Sequence, residues 1–219
     1  MRWGTTIFRF IEVKWWIVFS SLLALVGYFG PWVNHRVAGL VIVGLDLGEY
    51  VKFLVPVRSG QIAVWREGFY LPLVAVSFAL SLTAYRDRLA YWWPVRSAML
   101  LVAAVAALNM LPPAWSPSLL MTAEFRLQTM AIGACLAVML ISPFMALLSR
   151  WIPAAIVAVL SLVAIWFPTR DFWRVLPSIR ALYRQPIELG WGIYVMVLGL
   201  IILSGAVLYA AWRHEQPAA

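Results

Sequence analysis

The chain has 219 residues, of which 64% are hydrophobic and 12% charged, and its mean hydropathy is +0.88. A soluble domain is about half apolar and about a quarter charged, so a water-soluble globule is excluded and the surplus apolar surface must face lipid or other membrane subunits. The net charge of +8 and pI near 10.2 would suggest nucleic acid in a soluble protein, but beside long apolar runs such charge sets topology and meets anionic headgroups, so no nucleic-acid partner is expected.

Arg2, Arg9 and Lys14 precede the first apolar run, residues 15–33. The run is long enough to span and lacks a small-x-small cleavage site, which reads as a retained signal anchor. Residues 34–67 are harder to place. The stretch 37–45 is apolar but too short to cross alone. Extending it to Val57 would carry Asp46, Glu49 and Lys52 into hydrocarbon, at a cost of at least about 2.5 kcal/mol for each such charge. A re-entrant or interfacial segment is therefore expected. The three-residue spacing puts Asp46, Glu49 and Lys52 on one helical face, with Leu47, Tyr50, Val51, Phe53 and Leu54 elsewhere. That pattern suits an amphipathic interfacial helix, or a gate or docking helix at the outer surface. Gly44 and Gly48 form a GxxxG pair that would admit a close helix neighbour.

Further apolar runs at 69–85, 92–111, 127–148, 151–167 and 191–212 complete a set of six. A span needs roughly 20 apolar residues, and its backbone must be helical because hydrocarbon offers no other hydrogen-bond partner. The fold class expected is all-α: a polytopic transmembrane bundle of six spans in one domain covering 1–219, with outer segments at 34–68 and 168–190. Pro72 falls in a first helical turn, Pro168 at a span edge, and Pro143 inside the fourth span, where it predicts a kink. Ala103 with Ala107, Ala154 with Ala158, and Gly199 with Gly205 offer small-residue packing seams. Lys and Arg divide almost evenly between the two sides, but the outer segments are about twice as long, so the density of positive charge favours cytoplasmic N- and C-termini.

Between the fifth and sixth spans lie Arg170, Arg174, Arg180 and Arg184, with Trp173 and Tyr183 among them and only Asp171 to offset them. The paired spacings of four, interrupted by Pro177, predict two short basic helices outside the membrane. Arginine is permanently charged and binds phosphate and carboxylate in bidentate fashion. The segment is thus expected to be a headgroup collar or a docking face for an acidic partner or anionic lipid.

Five of the six runs hold no Asp, Glu, Lys, Arg or His, and the third holds only Arg96 near its edge. Proton- or sodium-coupled transport needs ionisable groups within the membrane, which argues against a pump. The two histidines, His35 and His214, fall on opposite sides in this topology, which excludes an intramolecular bis-histidine haem. His35 is the candidate ligand for a pigment or metal brought by a partner, against the plainer reading of an interfacial imidazole. The lone Cys135 forms no internal disulfide. No nucleotide-binding glycine loop, H-E-x-x-H motif, zinc cluster or serine-nucleophile motif occurs. No catalysis, metal or intrinsic cofactor is expected, and contacts with lipids, quinone or pigment would come through partners. The expectation is a non-catalytic accessory or scaffold subunit of a larger respiratory, photosynthetic or transport assembly, partnered by lipids and other integral subunits in a bacterial inner membrane. The alternative is a permease subunit of an ATP-driven exporter, with residues 83–96 as the inner loop long enough to grip an ATPase.

Overall fold

A computed structural model describes residues 12–35, 37, 41–183 and 187–213, and it is mostly helical. Helix α1 (Val13–Phe29) leads into strand β1 (Pro31–Asn34), and β2 (Ile42–Val43) follows. Next come α2 (Gly44–Tyr50), a 3₁₀ turn at Val51–Phe53, α3 (Val55–Arg58), and a second 3₁₀ turn at Arg66–Tyr70 that runs straight into α4 (Leu71–Ala84). A turn at Asp87–Leu89 precedes α5 (Trp93–Leu108), and the chain continues through α6 (Pro117–Leu120), α7 (Arg126–Leu140) and α8 (Ser142–Met145). The long α9 (Trp151–Tyr183), strand β3 (Glu188–Leu189) and α10 (Gly192–Arg213) complete it.

The apolar helices fall where the apolar runs predict them. Three helical stretches, Arg66–Ala84, Trp151–Tyr183 and Gly192–Arg213, are long and apolar enough to cross a membrane, while α1, α5 and α7 are apolar but shorter. Proline sits in the first turn of α4, α5, α6 and α8, where a missing N–H leaves no bond unmade. Ser116 starts α6 by accepting the Leu119 N–H at 3.2 Å, the usual side-chain cap.

Contacts sort the helix ends into two groups. At one end, which we call the terminal end, Tyr91 Oη donates to the Lys14 carbonyl at 2.7 Å and Arg86 Nη1 donates to the Leu148 carbonyl at 2.8 Å. Lys14, Arg88 and Arg213 line one cleft there. At the other, the cap end, Lys52 reaches Glu124 and Trp65 reaches Asp171. The strands join in a small antiparallel sheet of order β2-β1-β3 beside them. The apolar helices α1, α4, α5, α7, α9 and α10 therefore alternate in direction between the two ends, and both ends of the described chain meet at the terminal end.

α4 is the hub. Leu73, Ala75, Val76, Ala79 and Leu80 are all buried, and α1, α5, α7 and α9 pack around it. α1 and α10 form the closest helix pair. Gly199 makes that approach possible, since a Cβ there would lie 2.5 Å from the Ala24 nitrogen, whereas Gly205 faces open space. Ala103, Ala107, Ala154 and Ala158 are buried as the seams require. Gly44 faces the last turn of α1, where an added Cβ would lie 2.8 Å from the Tyr28 carbonyl oxygen. Added Cβ atoms at Gly44 and Gly48 would meet the Tyr28 and Tyr70 rings at 2.9 and 2.7 Å, so the pair seats aromatic rings under the cap.

Two proline expectations need correction. Pro177 does not divide the arginine segment into two helices: it lies, with Pro168, inside the continuous 33-residue α9. Each removes one ladder bond, but Phe172, Val175, Leu176 and Ile179 remain buried along one face and hold the helix together. Pro143 breaks rather than kinks its helix. α7 stops at Leu140 and α8 restarts at Ser142. The Met139 carbonyl, which Pro143 cannot serve, accepts the Ser142 hydroxyl at 2.7 Å instead.

Candidate functional site at the cap end

The polar side chains of the cap form two linked groups. In the first, Lys52 Nζ lies 2.7 Å from Glu49 and 3.3 Å from Glu124. Arg66 binds the Glu124 carboxylate at 3.1 Å, the Glu124 carbonyl at 2.8 Å and Glu67 at 3.2 Å. Tyr70 Oη donates to Glu49 at 3.1 Å. Lys52 and Arg66 both stand over the Phe125 ring, 5.8 and 5.3 Å from its centre, close enough for cation–π attraction. The Glu49 hydrogen bond raises the Lys52 pKa above its ordinary 10.5, and partial burial opposes it.

Asp46 stands apart from this group. Its carboxylate turns back to accept the Val43 N–H at 3.1 Å, fixing the first turn of α2, where negative charge is favoured. The predicted trio on one face thus resolves into a Glu49–Lys52 ion pair and a separate cap. Leu47, Val51 and Leu54 are buried as the amphipathic pattern requires, while Phe53 is exposed.

The second group centres on Asp171, which is fully buried. Its carboxylate accepts the Trp65 backbone N–H at 3.0 Å and Arg170 Nε at 2.8 Å, with Arg174 Nη1 at 3.9 Å. Arg174 also donates to the Ala63 carbonyl at 3.4 Å, and Arg170 stands 5.0 Å over the Phe167 ring. The Trp65 ring meets Phe167 edge-on at 5.0 Å. Beneath both groups, Trp32 packs against Tyr28, Phe69 and Phe172 and gives its indole N–H to the Gly27 carbonyl at 3.2 Å.

The four sequence-predicted arginines do not act alike. Arg170 and Arg174 are drawn towards Asp171 and the chain before Trp65, whereas Arg180 is exposed in the last turn of α9. Arg184 lies outside the described residues, as does His214. His35 Nδ1 accepts the Val37 N–H at 3.1 Å, and its ring lies 5.5 Å from that of Tyr183. This leaves Nε2 as the ring nitrogen outside that bond. Among the described residues no three His, Cys, Asp or Glu side chains gather as a metal site.

Sequence reasoning missed Glu124, Arg66, Glu67 and Tyr70 as partners of the Glu49–Lys52 pair, and it missed the burial of Asp171. One signal was available. The chain has only nine acidic residues among 17 basic ones, so each acid that faces several cations is a candidate clamp. Chemically the cap is a set of compensated charges that ties α2, the Arg66–Tyr70 turn, the turn before α7 and the cap-end half of α9 to one another. The chain matches no family model, no curated protein and no solved structure.

Proposed function

We propose that this protein is a six-span integral membrane subunit that works by packing, as a non-catalytic accessory or scaffold component of a larger assembly. Both termini face the cytoplasm of a bacterial inner membrane in this reading, and the cap stands on the outer side. Supporting the six crossings is the alternation of the apolar helices between two charged ends. Exposed tryptophans accompany both: Trp15, Trp92, Trp93, Trp151 and Trp212 belong to the terminal end, and Trp115, Trp166, Trp173 and Trp191 to the other. Tryptophan is favoured at membrane–water interfaces.

The observation that carries the packing role is the α5–α7 face. These helices have 16 and 15 residues, about 24 and 22 Å at a rise of 1.5 Å per residue, against a hydrocarbon core of about 30 Å. They expose Leu101, Val105, Leu108, Leu127, Met130 and Leu140. Short apolar helices in a thicker bilayer are relieved by association with other helices. A neighbouring integral subunit seated on α5 and α7 answers both the mismatch and the exposed face; Arg180, exposed in the last turn of α9, suits an acidic surface or anionic headgroup at the cap end.

The test is site-directed photocrosslinking in native membranes from Leu101 and Met130, with Phe19 on α1 as the lipid-facing control. The reading expects protein adducts from Leu101 and Met130 and lipid adducts alone from Phe19. Lipid adducts alone from all three positions would overturn it. Capture of an ATPase would instead select the exporter reading.

A further inference from the structure

A cavity of about 700 Å³ opens at the terminal end, between the first turns of α1 and α9 and the last turns of α4 and α10. Its size falls within the range of about 300–1,000 Å³ of small-molecule sites. Its lining is divided. Ile17, Leu148, Ala154, Val207 and Ala211 supply an apolar floor, and Arg86, Arg88 and Arg150 supply cations, with Asp87 as the acid among them.

Arg86 is held in place before any ligand arrives. Nη1 donates to the Leu148 and Ala146 carbonyls at 2.8 and 3.4 Å, and Nη2 donates to the Met145 carbonyl at 3.4 Å. A guanidinium has five donors, so two remain outside these bonds. No carboxylate pairs with Arg86 among the described residues, and burial lowers its pKa by working against its charge. Neutral carbonyls orient the cation without cancelling it. Arg88 is exposed beside it. The first turn of the 33-residue α9 borders the same space through Trp151, Pro153 and Ala154, where the helix end also favours an anion.

We propose that this cavity binds one anionic phospholipid, its phosphate held by Arg86 and Arg88 and an acyl chain laid against Ile17, Ala154, Val207 and Ala211. The division of the lining is the argument. An arginine with unspent donors recognises phosphate oxygens, while the apolar floor gives a free inorganic anion nothing to bind. The occupant must present a charged head and an apolar tail together, and it enters from the membrane surface. The site rests on the membrane reading above but not on the partner at α5–α7, which lies on other helices.

The experiment is native mass spectrometry of the full chain in detergent, titrated separately with phosphatidylglycerol, phosphatidylcholine and inorganic phosphate. Wild type is expected to retain one phosphatidylglycerol at least about tenfold more tightly than phosphatidylcholine, a discrimination in the range of a charge-assisted contact. Arg88→Gln should lose most of that preference. Ala210→Trp, which fills the cavity from its rim, should abolish retention of both lipids while leaving helix content and melting temperature unchanged. Because Arg86 also secures the end of α8, Arg86→Gln is read only beside those two variants. Equal retention of the two lipids, or undiminished retention by Ala210→Trp, would overturn the proposal. Inorganic phosphate binding as tightly as the lipid would overturn it in favour of a simple anion site. Crosslinking from Leu101 and Met130 reports on the partner independently, so the two readings fail separately.

Discussion

The buried carboxylate of Asp171 accepts the backbone N–H of Trp65 at 3.0 Å, joining positions 106 residues apart. Arg170 and Arg174 compensate its charge from the same helix. A buried carboxylate of this kind stabilises only while its partners stay in place, and removing one side of such a pair costs about 3–5 kcal/mol.

Asp171→Ala leaves two arginines that solvent can reach but strands the Trp65 N–H, and is expected to destabilise the cap by about 1–3 kcal/mol, with Trp65 released towards solvent. Asp171→Asn keeps an acceptor for the Trp65 N–H but forfeits the charge, and should fall between wild type and Ala. Thermal unfolding in detergent together with protease sensitivity around residues 59–66 measures both. Wild-type stability in Asp171→Ala would show that the aromatic contacts alone hold the cap.

Lys52 predicts an alkaline transition. Its pKa is raised above the ordinary 10.5, chiefly by the Glu49 hydrogen bond. A cation whose folded pKa is raised contributes stability in full below its unfolded pKa and loses it as pH climbs through the folded value. The melting temperature in detergent should therefore fall as pH rises through the folded value, above 10.5. Lys52→Arg, which stays charged there, should suppress that fall, and Glu49→Gln should start it at lower pH. An unchanged profile in Lys52→Arg would assign the transition to other groups.

Glu124 sits between two cations but is half exposed. Solvent screens such pairs to roughly 0–1 kcal/mol each. Glu124→Gln should cost no more than about 1 kcal/mol, and its effect should shrink with added salt, unlike that of Asp171→Ala. The comparison, run by thermal unfolding across a salt series, separates a rim contact from a buried one.

The α1–α10 seam gives a packing test. At Gly199 a new Cβ would crowd the Ala24 backbone at 2.5 Å, while at Gly205 it would meet nothing within 4 Å. Gly199→Ala is expected to destabilise by about 1–3 kcal/mol. Gly205→Ala should be neutral or stabilising by up to about 1 kcal/mol from helix propensity. Thermal melts of the two variants decide it, and equal melting temperatures would remove the close seam.

For topology, impermeant thiol labelling of Ser59→Cys and Ser178→Cys is expected from the outer face, and of Ser149→Cys only after the inner face is opened. The native Cys135 is buried and should stay silent. Labelling of Ser178→Cys and Ser149→Cys from the same face would contradict the crossing of α9.

The helices were readable because apolar content alone locates them, and proline marks where several begin. The length of α9 was not, because Pro177 and the arginines resemble an ending. Yet Phe172, Val175, Leu176 and Ile179 keep helical spacing through the proline, so the pattern for a continuous buried face was present and outweighed. At the cap, Glu49 and Lys52 were legible as a pair three residues apart. Glu124 was not, lying 72 positions from Lys52 with no local pattern to announce the meeting. Asp171 resembled a surface residue because arginines flank it, and only tertiary packing decides that its carboxylate points inward.

The 33 residues of α9 extend about 50 Å at 1.5 Å per residue, farther than the bilayer core is thick. Its first turn borders the arginine-lined cavity, and Asp171, hooked to Trp65, lies about 30 Å further along at 1.5 Å per residue. A helix anchored at both of these points behaves as a lever: a tilt at Trp151 displaces Asp171, and a tug on the Trp65 loop is felt at Trp151. Pro168, which lacks an N–H, is the point between Trp151 and Asp171 where that lever can flex. The two ends of the molecule are mechanically joined by a single unbroken helix.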